Sequence, residues 1–206
     1  MTFVLTPERA STVMKVSNGG TEPIRVQIQP MLWEIHGGAE SLSETDQLIV
    51  NPPIVTIAPN QDQFVRLGAR SIALATQERS YRLILEEVPM STDQPRSGIR
   101  TILRISSPLF VPASIPRTKI DWSLVNADNG TELVAINSGN THQKIYRLEL
   151  HSKPAKAPLL EAGLTYLLPG QTRRWPIKKS ASIGTLQLHL QTESGVYDQA
   201  LSPSTR

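Results

Sequence analysis

An all-β fold of two tandem sandwich domains is predicted for this 206-residue chain by three features. Apolar and polar residues alternate with period two, prolines and glycines break the alternation at short intervals, and one order of turn and strand segments occurs twice. Ile24, Val26 and Ile28 alternate with Arg25, Gln27 and Gln29, the pattern of a strand with one wet and one buried face. Tyr81, Leu83 and Leu85 repeat it, as do Leu186, Leu188 and Leu190 among Gln187, His189 and Gln191. Helical spacing is confined to a short turn near Ser71–Gln77.

The internal echo sets the domain count. Val16-Ser17-Asn18-Gly19-Gly20-Thr21 leads into an alternating strand, and so does Ile136-Asn137-Ser138-Gly139-Asn140-Thr141. Both segments read as the turn of a hairpin, because Asn and Gly tolerate positive φ. A second echo pairs Ile57-Ala58-Pro59-Asn60-Gln61 with Leu167-Leu168-Pro169-Gly170-Gln171. Short strands with turn signals at such intervals indicate immunoglobulin-like sandwiches, here of seven strands each. Alternation stops and prolines gather at Val111-Pro112-Ala113-Ser114-Ile115-Pro116, placing the domains at 1–114 and 117–206. A proline-flanked joint is stiffer than a Gly/Ser linker, so the expected arrangement has a fixed interdomain cleft.

Composition excludes several function classes. A formal charge of +3 is too slight for nucleic acid. Arg173-Arg174 and Lys178-Lys179 read as solvated strand edges. The absence of cysteine excludes disulfides, thiol nucleophiles and thiolate metal sites. No nucleophile elbow, zinc-protease motif, phosphate loop or dinucleotide fingerprint occurs, so neither an enzyme nor a cofactor is expected. His36 and His142 adjoin turn residues, His151 and His189 sit on polar strand faces, and no metal site is expected from them. Glu86 and Glu87 are neighbours on one strand and point to opposite faces, so they form no carboxylate pair. Asn129-Gly130-Thr131 reads as a tight turn. Met1-Thr2-Phe3-Val4-Leu5 lacks the basic and long apolar regions of a signal peptide, so export implies a signal outside these residues.

A family resemblance rests on residues 51–112. Val50-Asn51-Pro52-Pro53-Ile54-Val55-Thr56-Ile57-Ala58-Pro59-Asn60-Gln61, followed by Phe64-Val65-Arg66-Leu67, resembles the middle strands of the first domain of a periplasmic pilus-assembly chaperone. Tyr81-Arg82-Leu83-Ile84-Leu85-Glu86-Glu87-Val88-Pro89 resembles its sixth strand, and Ile99 to Val111 its seventh. The resemblance implies a chaperone of a divergent branch of the chaperone–usher pathway. Such a protein lends its seventh strand to pilus subunits by donor-strand complementation and delivers them to an outer-membrane usher, in the periplasm. It implies Arg9 as an anchor for the subunit's terminal carboxylate. The family's seventh-strand lysine is replaced by Ser107, so Arg82 or Arg104 would supply the second charge. Glu87 matches a position that bonds across the domains, but no basic partner stands near Val111.

The residues themselves give the seventh strand the required form. Ile99, Leu103 and Ile105 share one face with Thr101 between them, and Ile102 and Phe110 share the other. Two readings of these apolar faces stand side by side: a strand lent to a partner, or a central strand buried by its own second sheet. Burying three donor side chains is worth roughly 5–9 kcal/mol, against about 1 kcal/mol or less for an exposed ion pair. Apolar donation would therefore carry affinity, and without a subunit the strand would favour self-association or take cover under the Ser91–Ser97 loop. The alternative function class is a tandem immunoglobulin-like adhesion or structural module.

Overall fold

The computed structural model describes residues 1–36, 39–72, 75–89, 102–127, 130–152, 157–177 and 185–202. It is all-β among these residues, in two compact units. The first comprises Met1–Glu34, Glu40–Ala75 and Arg79–Ser114, and the second Ile35–Ala39, Thr76–Glu78 and Ile115–Arg206. The expected helical turn near Ser71–Gln77 is not formed at its described residues, where Ala75 instead bridges in parallel to Ala113.

The first unit contains β1 (Phe3–Val4), β2 (Ser11–Ser17), β3 (Ile24–His36), β4 (Ala39–Glu44), β5 (Leu48–Asn51), β6 (Ile54–Ile57), β7 (Asp62–Ala69), β8 (Arg79–Glu87) and β9 (Arg104–Val111). One sheet runs β1-β9-β8-β3-β4 with β6 also on β3, and the other runs β2-β7-β5. Their inward faces enclose a core built on Leu5, Ile28, Ile57, Val65, Leu83 and Leu109. Proline explains one of the two strands here in excess of seven. Pro52 and Pro53 donate no N–H, so the ladder stops at Asn51 and the chain changes sheets, β5 pairing with β7 and β6 with β3.

The second unit contains β10 (Ile120–Ala127), β11 (Gly130–Asn137), β12 (Gln143–Ser152), β13 (Leu160–Ala162), β14 (Thr165–Leu167), β15 (Thr172–Pro176), β16 (Leu186–Thr192) and β17 (Gly195–Leu201). Its sheets are β10-β11-β15 and β13-β12-β16-β17, with β14 also on β12. Arg173 and Arg174 lie on β15, which among the described residues pairs only with β11, so they occupy a sheet edge there as expected; Arg174 meets Glu132 at 3.1 Å. Lys178 and Lys179 lie outside the described residues. Gly130, at φ +133°, opens β11 opposite Ala127, and Asn129 of the expected turn lies outside the described residues.

The repeated Asn-Gly segment is not a hairpin. β2 and β3 belong to different sheets, as do β11 and β12, so each segment carries the chain across the sandwich. What repeats is a buried asparagine clamp. Asn18 Nδ2 donates to the carbonyls of Glu22 (2.8 Å), Ile57 (3.1 Å) and Ala58 (3.3 Å), while its Oδ1 accepts from Gly20 N at 2.9 Å. Asn137 Nδ2 donates to the carbonyls of Thr141 and Leu167, both at 2.9 Å, and its Oδ1 accepts from Gly139 N at 3.0 Å. The backbone repeats as well: Asn18 N donates to Gln61 O and Asn137 N to Gln171 O. The true correspondence is therefore Asn18 with Asn137, one position off the alignment read from sequence. The second echo is the loop each clamp grips, with positive φ at Asn60 (56°) and Gly170 (78°).

Removing either amide strands buried carbonyls, at about 1–3 kcal/mol for an unsatisfied group. Asn137→Ala is expected to lower stability by about 2–3 kcal/mol in urea unfolding followed by circular dichroism, since two carbonyls lose their donor. Gly139→Ala should destabilise independently, because a Cβ there would stand 2.3 Å from Arg117 O.

Candidate functional site: the open edge of β9

The two edges of β9 are treated differently. Along one edge it pairs with β8 over its whole length, from Arg79↔Val111 to Glu86↔Arg104, and Glu87 N extends the pairing to Leu103 O at 3.0 Å. Along the other edge, β1 pairs only with Leu109 and Phe110, followed by Leu5 N donating to Phe110 O at 3.0 Å. The turn at Thr6–Arg9, where two backbone hydrogen bonds link Thr6 and Arg9, takes the chain away from the ladder. Leu103 O turns toward β8 and Phe110 O toward β1, so alternation gives Arg104 and Ser106 outward N–H and C=O groups. Among the described residues no strand meets these groups.

The side chains split in the same place. Leu109 and Val111 lie in the core, and Phe110 is buried on the opposite face beside Trp33, with ring centroids 6.2 Å apart. That end of β9 is the ordinary central strand of the second reading. Toward its start the core runs out. Ile105, opposite the buried Leu85, is 44% exposed, Leu103 is 58% exposed and Ile102 is 49% exposed. The apolar faces are thus buried at one end of the segment and exposed at the other. Ile99, Thr101 and the Ser91–Ser97 loop lie outside the described residues.

The three arginines fall in different settings. Arg9 is exposed in the β1–β2 turn, where its backbone N donates to Thr6 Oγ1 at 3.2 Å. Arg82 lies with its guanidinium carbon 3.6 Å from the Trp33 ring centroid, a stacked cation–π contact. Arg104 reaches Glu86 at 3.7 Å in an exposed pair, worth at most about 1 kcal/mol. Arg82 and Arg104 share one face of the sheet, and strand parity puts Leu103, Ile105 and Ser107 on the other. Glu87 closes β8 opposite Val26.

Sequence reading missed a buried carboxylate in the second unit. Glu78 accepts from Thr141 Oγ1 (2.9 Å) and His142 N (3.1 Å), and His142 Nδ1 lies 2.8 Å from its Oε1. His142 is in a turn, as read, but its ring is committed to this contact. The partners stand 64 residues apart, and no local pattern links them. His151 meets Glu149 at 3.4 Å and His189 meets Asp198 at 2.7 Å. Among the described residues no three histidine or carboxylate groups converge as a metal site.

Residues 1–116 match the family model of the pili and flagellar-assembly chaperone, PapD N-terminal domain. The chain belongs to this family. Its fold is that of the two-domain chaperones. The chain is similar to the chaperone-tip adhesion subunit complex CsuC-CsuE from archaic chaperone-usher Csu pili of Acinetobacter baumannii, with TM-score 0.74, 22% identity and coverage of 98% of this chain and 95% of that one. The YadV chaperone gives TM-score 0.69 at 13% identity, covering 97% and 94% of the two chains. The Pseudomonas aeruginosa CupB2 chaperone gives TM-score 0.63 at 15% identity, covering 98% and 97%. No curated protein sequence matches. The family consists of assembly chaperones, so the adhesion or structural module is set aside for a chaperone of pilus assembly.

The chaperone's stability should divide along β9 as burial does. Leu103→Glu and Ile105→Glu are expected to change stability by no more than about 0.5 kcal/mol, as surface substitutions do. Leu109→Glu, which buries an unpaired charge in the core, should leave no cooperative thermal transition for the first unit in circular dichroism.

Proposed function

We propose that this chaperone holds pilus subunits by lending them the start of β9 as a strand. The observation that carries the reading is the coincidence, at one place, of outward backbone groups at Arg104 and Ser106 with exposed Leu103 and Ile105. An unpaired edge offers main-chain hydrogen bonds to an incoming strand, and alternate side chains fill its pockets. Ile99 and Thr101 continue the same parity in sequence and lengthen the donor segment. Covering the still-exposed half of Leu103 and Ile105 is worth roughly 2–3 kcal/mol, more than an exposed ion pair contributes.

Arg9 is the anchor for the subunit's terminal carboxylate in this reading. A guanidinium fork matches a carboxylate and stays charged at all working pH values. Arg82 and Arg104 would each give up an existing contact to assist, Arg82 with Trp33 and Arg104 with Glu86, so their share is smaller. The solved structure of Salmonella enterica SafA pilin with the SafB chaperone has TM-score 0.67 at 16% identity, over 97% of this chain and 92% of that one; its named partner supports a subunit as the ligand. Family membership supports action in the periplasm and delivery to an outer-membrane usher. Without a subunit, the same edge favours self-association.

The test is capture of a co-expressed cognate subunit by the tagged chaperone. Leu103→Glu should fold normally and lose capture, and Arg9→Ala should weaken it while preserving the fold. Undiminished capture by folded Leu103→Glu would refute strand donation through this face. Undiminished capture by Arg9→Ala would move the carboxylate anchor elsewhere.

A further inference from the structure

A corner of the second sandwich breaks the rule that inward faces are apolar. β10 and β17 are the outer strands of their two sheets, and among the described residues no ladder joins them. Strand parity turns Tyr197 and Gln199 inward, opposite the core residues Leu190 and Leu188. Gln143, on the face of Ile145, and Thr192, on the face of Leu190, also turn inward. Thr192 is buried and Gln143 half-buried, while Tyr197, 49% exposed, and Gln199 stay open to water, so four uncharged polar side chains line the open end of a hydrophobic interior.

They surround a cavity of about 300 Å³ whose apolar wall is Ile120, Trp122, Ile145 and Leu190. Trp122 is held firmly. Its ring stacks on Trp175 at 5.8 Å with planes 22° apart, an approach made across β11 over Ala135, the small residue paired with Trp122. Thr192 is spent on its own turn, donating to Gly195 O at 3.0 Å. Gln199 makes no side-chain hydrogen bond among the described residues, and Tyr197 makes only a long one, to Ser194 O at 3.4 Å. No charged side chain lines the cavity among the described residues. Asp198, between these two, turns to the outer face and meets His189 Nδ1 at 2.7 Å.

We propose that this cavity binds a neutral pyranose sugar. A pocket of this size lies at the small end for ligands and suits a single ring. A pyranose carries an apolar C–H face for a rigid indole and a rim of hydroxyls for amides and phenols. Gln143 Nε2 already donates to Lys144 O at 3.3 Å. A charged ligand would find no counter-charge, and a hydrocarbon would shield the exposed Gln199 amide from water without giving it a partner. The site is separate from β9 and independent of strand donation.

The test is titration of the full chain with methyl β-D-glucopyranoside and N-acetylglucosamine, followed by two-dimensional NMR of the Trp122 indole N–H and the glutamine side-chain amides. Glucuronate and octanoate serve as charged and apolar probes. Saturable shifts confined to Trp122, Gln143 and Gln199 are expected with a neutral sugar. Gln199→Ala should weaken binding about fivefold, the loss of one hydrogen bond, with an unchanged melting temperature. The proposal is overturned by absence of saturation up to the solubility limit of both sugars. It is equally overturned by glucuronate or octanoate binding at least as well, or by sugar shifts that Gln199→Ala does not alter.

Discussion

A single asparagine side chain fixes how each sandwich crosses from one sheet to the other. The chain leaves β2 or β11, passes over the open end of the sandwich and enters β3 or β12, and backbone groups in such a crossing have no ladder to join. Asn18 and Asn137 supply the missing partners from within, each bonding its own loop and the Pro-containing loop that faces it. With the two loops tied, the inward faces of both sheets come into register and the cores close. In the first unit the closed core holds the buried end of β9 through Leu109 and Val111.

That edge arises from a mismatch of strand lengths. β9 is long, but β1 meets only two of its residues before the Thr6–Arg9 turn diverts the chain. Pro108, with no N–H, removes one donor from the strand itself. The buried end of β9 anchors it through Leu109, Phe110 and Val111, so the exposed end is held straight by β8 without being covered. A strand that is rigid, apolar and unpaired loses little conformational entropy when a partner adds to it. In the proposed function, rigidity comes from one end and the binding surface from the other.

Much of this was legible in sequence because period-two alternation reports sheet faces directly. The β8 and β16 faces read from Tyr81–Leu85 and Leu186–Leu190 are the core faces observed. The apolar content of both faces of residues 99–111 was also visible, but sequence could not divide it into a buried and an exposed end. That division depends on where β1 leaves the ladder. The Asn-Gly segments were misread for a related reason: turn propensity sees the glycines, whereas the deciding contact is an asparagine amide gripping a carbonyl 39 residues away in the first unit and 30 in the second. The Glu78–His142 contact and the polar inward corner near Trp122 are likewise products of long-range packing.

Strand donation from β9 makes a residue-level demand on the backbone. In the free chaperone the amides of Arg104 and Ser106 face outward without a partner among the described residues, while Ile105 and Ser107 face β8. Amide hydrogen exchange measured at these four positions, with and without a bound cognate subunit, tests the claim most directly. The account predicts that Arg104 and Ser106 exchange quickly when free and become strongly protected in the complex, with Ile105 and Ser107 protected in both states. Continued fast exchange at Arg104 and Ser106 in a saturated complex would contradict it.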